Sequence, residues 1–183
     1  MSDLYKNKYR IRSVRRDNYD YSQNGFYFVT ICTKNREIFF GNIVDEDMEL
    51  SELGLAANKF WLEIPRHFSF IKLDELIVMP NHVHGILQIN NSVETQNLVS
   101  LHPQVGGYKN KFGPQSKNLS SVMRGFKIGV TKFVNDNNLI FGWQSGFYDR
   151  IIRDEDELSR IRQYIIDNPL KWELDRNNPK NCY

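Results

Sequence analysis

FIKLDELIVMPNHVHGILQI, residues 70–89, consists of two apolar runs rich in aliphatic residues, separated by Pro80-Asn81. Proline fixes its own φ and has no N–H to give to a sheet, and asparagine favours turns, so the pair predicts a tight antiparallel hairpin. Its second strand opens with His82 and His84. Side chains two residues apart on a strand point the same way, with backbones about 6.6 Å apart, so two imidazoles face one side of a run that otherwise wants burial. Neutral imidazole is the commonest metal-ligating side chain, and the pair can converge on one ion. The competing reading is two satisfied core or edge histidines.

Upstream, GFYFVTICT (25–33) is rich in aromatic and β-branched residues and follows the turn signal Gln23-Asn24-Gly25, which predicts a central strand. Residues 34–50 alternate poorly and contain Gly41-Asn42, as expected of a small hairpin or irregular excursion. From Ser51, Leu53, Ala56, Ala57, Phe60, Trp61 and Ile64 recur as the apolar stripe of a helix that Pro65 stops.

Downstream, residues 90–118 are dense in Asn, Ser, Gly, Pro and Lys without periodicity and read as a long loop insertion. Leu119, Val122, Met123, Phe126, Val130, Phe133 and Val134 then fall at helical spacing, with Arg124, Lys127 and Lys132 giving that helix a basic side. FGWQSGFYDRIIR (141–153) is a further strand. Residues 154–174 read as a last helix with acids in its first turn, where the macrodipole favours them, and with Asn168-Pro169 ending or kinking it. The order predicts an α+β fold, a ferredoxin-like (RRM-like) βαββαβ antiparallel sheet with an appended C-terminal helix.

A chain of 183 residues with 40% hydrophobic content can bury one substantial core but not two, so one domain is expected over 1–183. The net charge of +2 does not by itself mark a nucleic-acid binder. The distribution is more telling: residues 1–20 form a basic arm in which Arg10, Arg12, Arg15 and Arg16 stand together, whereas residues 45–52 are acidic. Two cysteines, Cys32 and Cys182, make neither a disulfide framework nor a metal spacing. With no apolar leader and no apolar stretch near the roughly 18 residues a membrane helix requires, a soluble, cytoplasmic, reducing setting is expected, with no membrane partner.

On the last helix, Tyr164 and Asn168 are four residues apart and share a face, about 6 Å apart along the axis. Alone, they read equally as an edge tyrosine beside the Leu158, Ile161, Ile165 stripe and a cap before proline. Taken jointly, MPNHVHGIL and GWQSGFYDRIIRDEDELSRIRQYIIDNP resemble the HUH single-tyrosine transposases, most of all the REP-associated tyrosine transposases. The likeness runs from Phe26 to Trp172. It departs from the family in the 90–118 insertion and after the first strand, which bears on target recognition.

The resemblance implies that Tyr164 is a catalytic nucleophile and that His82, His84 and Asn168 hold a divalent metal ion, Mg²⁺ or Mn²⁺. It further implies nicking and strand transfer of single-stranded or hairpin DNA through a 5′-phosphotyrosine. A free phenol has a pKa of about 10, so only about one in a thousand is ionised near pH 7, and the cation would have to assist. The arm arginines with Arg124, Lys127 and Lys132 are the expected phosphate contacts. Whether Tyr164 serves its own chain or a homodimer partner is left open. Tyr148, His67 and His102 read as packing or surface residues, and Trp143 as core. A non-catalytic nucleic-acid-binding module and a metal-dependent hydrolase are the alternatives.

Overall fold

A computed structural model describes residues 20–91 and 117–181. Its strands are β1 (Gly25–Cys32), β2 (Gly41–Val44), β3 (Asp47–Leu50), β4 (Ile71–Met79), β5 (His82–Ile89) and β6 (Tyr148–Ile152). Its α-helices are α1 (Glu52–Leu62), α2 (Ile64–His67), α3 (Leu119–Asp136) and α4 (Glu155–Ile166). The main sheet is antiparallel with strand order β4-β5-β1-β6. Removing the β2–β3 hairpin and α2 leaves βαββαβ in the ferredoxin-like order, with α4 appended.

Strand alternation divides the core into two layers. Tyr27, Val29 and Ile31 of β1 and Val83, Leu87 and Ile89 of β5 face α1 and α3 and form the larger cluster. Trp61 of α1 meets Phe126 of α3 edge-on with ring centroids 5.3 Å apart, joining the two helices over that layer. Residues of opposite parity, Phe28, Ile86 and Ile152, face the other way and pack against Leu158 and Ile165 of α4. His82 and His84 belong to this second face. A strand buried on both sides can carry two histidines because α4 covers His84 and the chain after it covers His82.

Local chemistry sets the ends of the elements. Ser51 caps α1 through the Gly54 N–H, Asn118 caps α3 in a reciprocal box with Ser121, and Asp154 caps α4 through the Glu157 N–H. The small hairpin expected after β1 is present as β2–β3 and turns at Asp45-Glu46, both at positive φ (50° and 68°) as a primed turn requires. Three sequence expectations are corrected. Ile64 does not extend α1 but heads α2 with Pro65 in its first turn, where the missing N–H costs nothing.

The strand expected over 141–153 is confined to 148–152. Trp143 makes only an isolated bridge to Thr33 and packs among Phe40, Phe126 and Phe141. The helix expected over 154–174 ends at Ile166, and the rest of that span holds a short 3₁₀ turn, Trp172–Leu174. Pro169 cannot continue the ladder and disfavours a helical Asn168, so the chain leaves the helix there.

α4 is tied to both edges of the sheet. Near its start, Glu157 accepts from Arg150 Nε of β6 at 2.7 Å and from the Arg153 N–H at 2.9 Å. Near its end, Arg162 makes a two-pronged pair with Asp74, Nε to Oδ1 at 2.8 Å and Nη2 to Oδ2 at 2.6 Å. Asp74 stands at the irregularity of β4 between Leu73 and Leu76, which turns it toward the helix.

Candidate active site

Each histidine is oriented by its own second partner. Asn81 donates through Nδ2 to the carbonyls of Arg36 (2.8 Å) and Asn177 (2.7 Å), so its Oδ1, 2.9 Å from His82 Nδ1, is an acceptor. His82 Nδ1 therefore bears the hydrogen, and its Nε2 presents a lone pair. His84 Nδ1 meets Thr30 Oγ1 at 2.8 Å and a backbone carbonyl contact at Val29, which likewise turns its Nε2 outward as an acceptor. The two Nε2 atoms lie 3.0 Å apart. Two lone pairs at that distance repel unless a proton or a cation sits between them.

Burial decides against the proton. His82 and His84 are 0% and 1% exposed, and desolvation drives both pKa values well below the ordinary 6.5, with Arg176 adding to the same direction. The neutral pair is a ligand pair in waiting. Asp175 completes it: a carboxylate oxygen lies 3.9 Å from His82 Nε2, on a side chain that is 6% exposed, and the ligand atoms of His82, His84 and Asp175 lie within 4.8 Å of one another. Two nitrogens 3.0 Å apart suit a single ion at about 2.1 Å from each, and a carboxylate is the natural third donor for a hard divalent cation.

Tyr164, in the last turns of α4, places its hydroxyl 3.3 Å from His84 Nε2. Phe28 positions both rings, stacking on His84 at 5.2 Å and meeting Tyr164 edge-on at 6.1 Å. Tyr164 as a residue is 40% exposed. Burial raises the phenol's pKa, and the Asn168 amide beside it pulls the other way. Asn168 is buried and lies just past the helix end. Its Oδ1 accepts no hydrogen bond, an orphaned buried acceptor of the kind a cation would satisfy.

The structure thus brings His82, His84, Tyr164 and Asn168 into one region. Asp175 and the orienting pair Asn81 and Thr30 were missed by the sequence reading. Asp175 follows the helix in a polar stretch with no periodicity, and only the reversal after Pro169 returns it to the histidines. Among the basic residues, Arg124 and Lys132 are exposed on α3, which covers the opposite face of the sheet. Lys127 on the same helix donates to the Gln144 carbonyl at 2.8 Å and to the Gly146 carbonyl, and burial lowers its pKa to about 8. These three line a groove on α3 with Ile128 and Phe147. Arg10, Arg12, Arg15 and Arg16 lie outside the described residues, as do His102 and most of the 90–118 insertion. His67 is exposed at the end of α2, as expected.

The strand order, with a helix laid over the histidine face, gives the chain a fold similar to that of a solved tyrosine transposase. A REP-associated tyrosine transposase, solved bound to a REP hairpin, matches 88% of this chain and 76% of its own length, with a TM-score of 0.56 and 18% identity. A protein of Deinococcus radiodurans R1 assigned as a transposase matches at a TM-score of 0.42 and 17% identity over 84% of this chain and 95% of its own, too distant to add to the argument. No family model matches the chain. It belongs to the same family as an uncharacterized protein of Haemophilus influenzae, 40% identical over 166 residues, 90% of this chain and 91% of that protein. Among the described residues, no helix is long and apolar enough to cross a membrane.

Proposed function

We propose that the protein nicks and rejoins single-stranded DNA as a metal-dependent transposase of the HUH single-tyrosine type, through a covalent link between Tyr164 and a 5′ phosphate. The observation that carries this reading is the Tyr164 hydroxyl 3.3 Å from one of two facing, neutral, buried imidazoles of the same chain. His82, His84 and Asp175 would hold a divalent ion of the Mg²⁺ or Mn²⁺ class, with Asn168 Oδ1 as a further donor. Such an ion, when bound, would withdraw charge from the scissile phosphate and the departing oxygen.

Tyr164 Oη forms a bond to phosphorus while the bond from phosphorus to the 3′ oxygen breaks. The phenol's proton passes to solvent, and the 3′ oxygen takes one up. One phosphodiester replaces another, so the step reverses without a nucleotide cofactor. The exposure of Tyr164, 40%, lets a single strand reach it. A REP hairpin is the DNA seen on the transposase of the same fold, so hairpin-bearing single-stranded DNA is the first substrate to try.

Labelled oligonucleotide incubated with protein and Mn²⁺, then denatured, should yield a covalent adduct that Tyr164→Phe abolishes. Cleavage that survives Tyr164→Phe would instead favour a metal-dependent hydrolase built on His82, His84 and Asp175. Binding with no adduct and no cleavage would favour a non-catalytic module.

A further inference from the structure

The chain beyond α4 folds back onto the site, held there by two hydrogen bonds from the rest of the protein and braced by one of its own. The Asn177 carbonyl accepts from Asn81 at 2.7 Å, Asn178 Nδ2 donates to the Trp172 carbonyl at 3.0 Å, and Arg36 Nη1 donates to the Arg176 carbonyl. Trp172 is buried, its ring 6.1 Å from that of His82. These ties fix the backbone of two successive residues of opposite charge. Asp175 turns toward His82, and the Arg176 guanidinium lies over the Tyr148 ring, 5.9 Å from its centroid.

Tyr148 of β6 stands opposite Thr30 of β1, and Thr30 stands opposite His84 of β5. Paired residues on adjacent strands share a face, with strands about 4.8 Å apart, so Tyr148, Thr30 and His84 form one row running from the sheet edge into the pocket. Arg176 rests on the outer end of that row, and its charge bears on His82, His84 and Tyr164 alike. No step of the chemistry set out above uses it.

We propose that Arg176 is the phosphate-binding residue of this pocket: its guanidinium, seated on the Tyr148 ring, takes the non-bridging oxygens of the scissile phosphate and sets that phosphorus in line with Tyr164. Tyr148 is then a positioning residue. The inference rests on the reading of the pocket as a DNA-nicking centre. A guanidinium suits the task because its planar fork matches two phosphate oxygens and it stays charged at any working pH. The extra negative charge gathers on those oxygens as phosphorus becomes five-coordinate, so a cation fixed beside them favours the transition state over the bound substrate. Tyr148 restricts the side chain beforehand, which lowers the entropy lost when the phosphate arrives.

The test compares wild type, Arg176→Ala and Arg176→Lys in single-turnover adduct formation with Mn²⁺. Two oligonucleotides are used, one natural and one with a neutral methylphosphonate at the cleavage position. Arg176→Ala should slow the natural substrate by about 10²- to 10³-fold, Arg176→Lys should recover part of that, and the affinity for Mn²⁺ should be unchanged. On the methylphosphonate, wild type and Arg176→Ala should differ by only a few-fold, because the oxygen charge that Arg176 answers is gone. An equal loss on both substrates, no loss, or a faster reaction would overturn the proposal. Should wild type form no adduct with either oligonucleotide, the nicking reading has failed, and the salt dependence of binding to the natural strand decides separately. Arg176→Ala should then lower the slope by about one unit, and an unchanged slope would refute the contact. Thermal melts of both variants, matched to wild type, exclude misfolding as the cause.

Discussion

At the scale of single residues, the site depends on two imidazoles being kept neutral in places that water does not reach. Their folded pKa values lie below the unfolded 6.5, so between those values the unfolded chain binds more protons than the folded one. The sign follows: stability is complete above about pH 6.5 and declines as pH falls, by up to about 1.4 kcal/mol per pH unit for each histidine held neutral. Melting curves in a chelator from pH 7.5 to 4.5 should show the midpoint dropping below pH 6.5, and His84→Gln should flatten the drop. A profile that is already flat in wild type would mean that the histidines protonate in place. Asn81 is equally exposed to test, since it anchors His82, the turn after β1 and the closing segment. Asn81→Ala should cost about 1–3 kcal/mol in denaturant unfolding by orphaning those partners, and a loss below a few tenths would show the hub to be dispensable. The histidine pair was legible in the sequence because strand alternation alone puts residues 82 and 84 on one face. Asp175 and Arg176 were not, because their approach to the pocket depends on a chain reversal that leaves no period in the sequence.

At the scale of elements, the close fit of α1 to the sheet depends on Gly85, which lies on the face of β5 opposite His82 and His84. A Cβ there would stand 2.2 Å from the Trp61 ring, and Trp61 is fully buried. Gly85→Ala should therefore destabilise the protein by about 1–3 kcal/mol through overpacking, read as a lower unfolding midpoint; an unchanged midpoint would show that Trp61 can move aside. The other telling element is α4, pinned to β6 by Glu157 and to β4 by Arg162. Because Arg162 is partly exposed, Asp74→Ala should cost no more than about 1 kcal/mol of stability. Its effect on adduct formation should be larger, about 10-fold or more, since a small displacement of Tyr164 misaligns the attack. Equal, small effects on both would make the pair mere surface decoration. Helix existence was readable from the apolar stripes and their caps, while helix length was not: Asn168-Pro169 signalled either an end or a kink, and the chain takes the first, with the helix stopping at Ile166. Trp143 shows the same limit, because an alternating aromatic run reads as a strand even where the rings serve a loop packed on Phe40 and Phe126.

At the scale of the whole molecule, the ferredoxin-like plan gives each face of one sheet a separate task. α1 and α3 close the larger core on one side, and the other side is left for α4 to cover with a tyrosine aimed at paired histidines. Since the phenol and the imidazoles meet within one chain, mixing Tyr164→Phe protein with His84→Ala protein should give no more adduct than either alone. Restored activity in the mixture would show that subunits exchange α4. This architecture was readable from element order, because few sheet topologies accommodate βαββαβ with short connections. The central claim is that Tyr164 itself takes the phosphate. Peptide mass mapping of protein trapped on hairpin-bearing single-stranded DNA with Mn²⁺ tests it most directly. The account predicts a nucleotide-bearing peptide modified at Tyr164; modification at Tyr148 or any other residue, or cleaved DNA with no modified peptide, would contradict it.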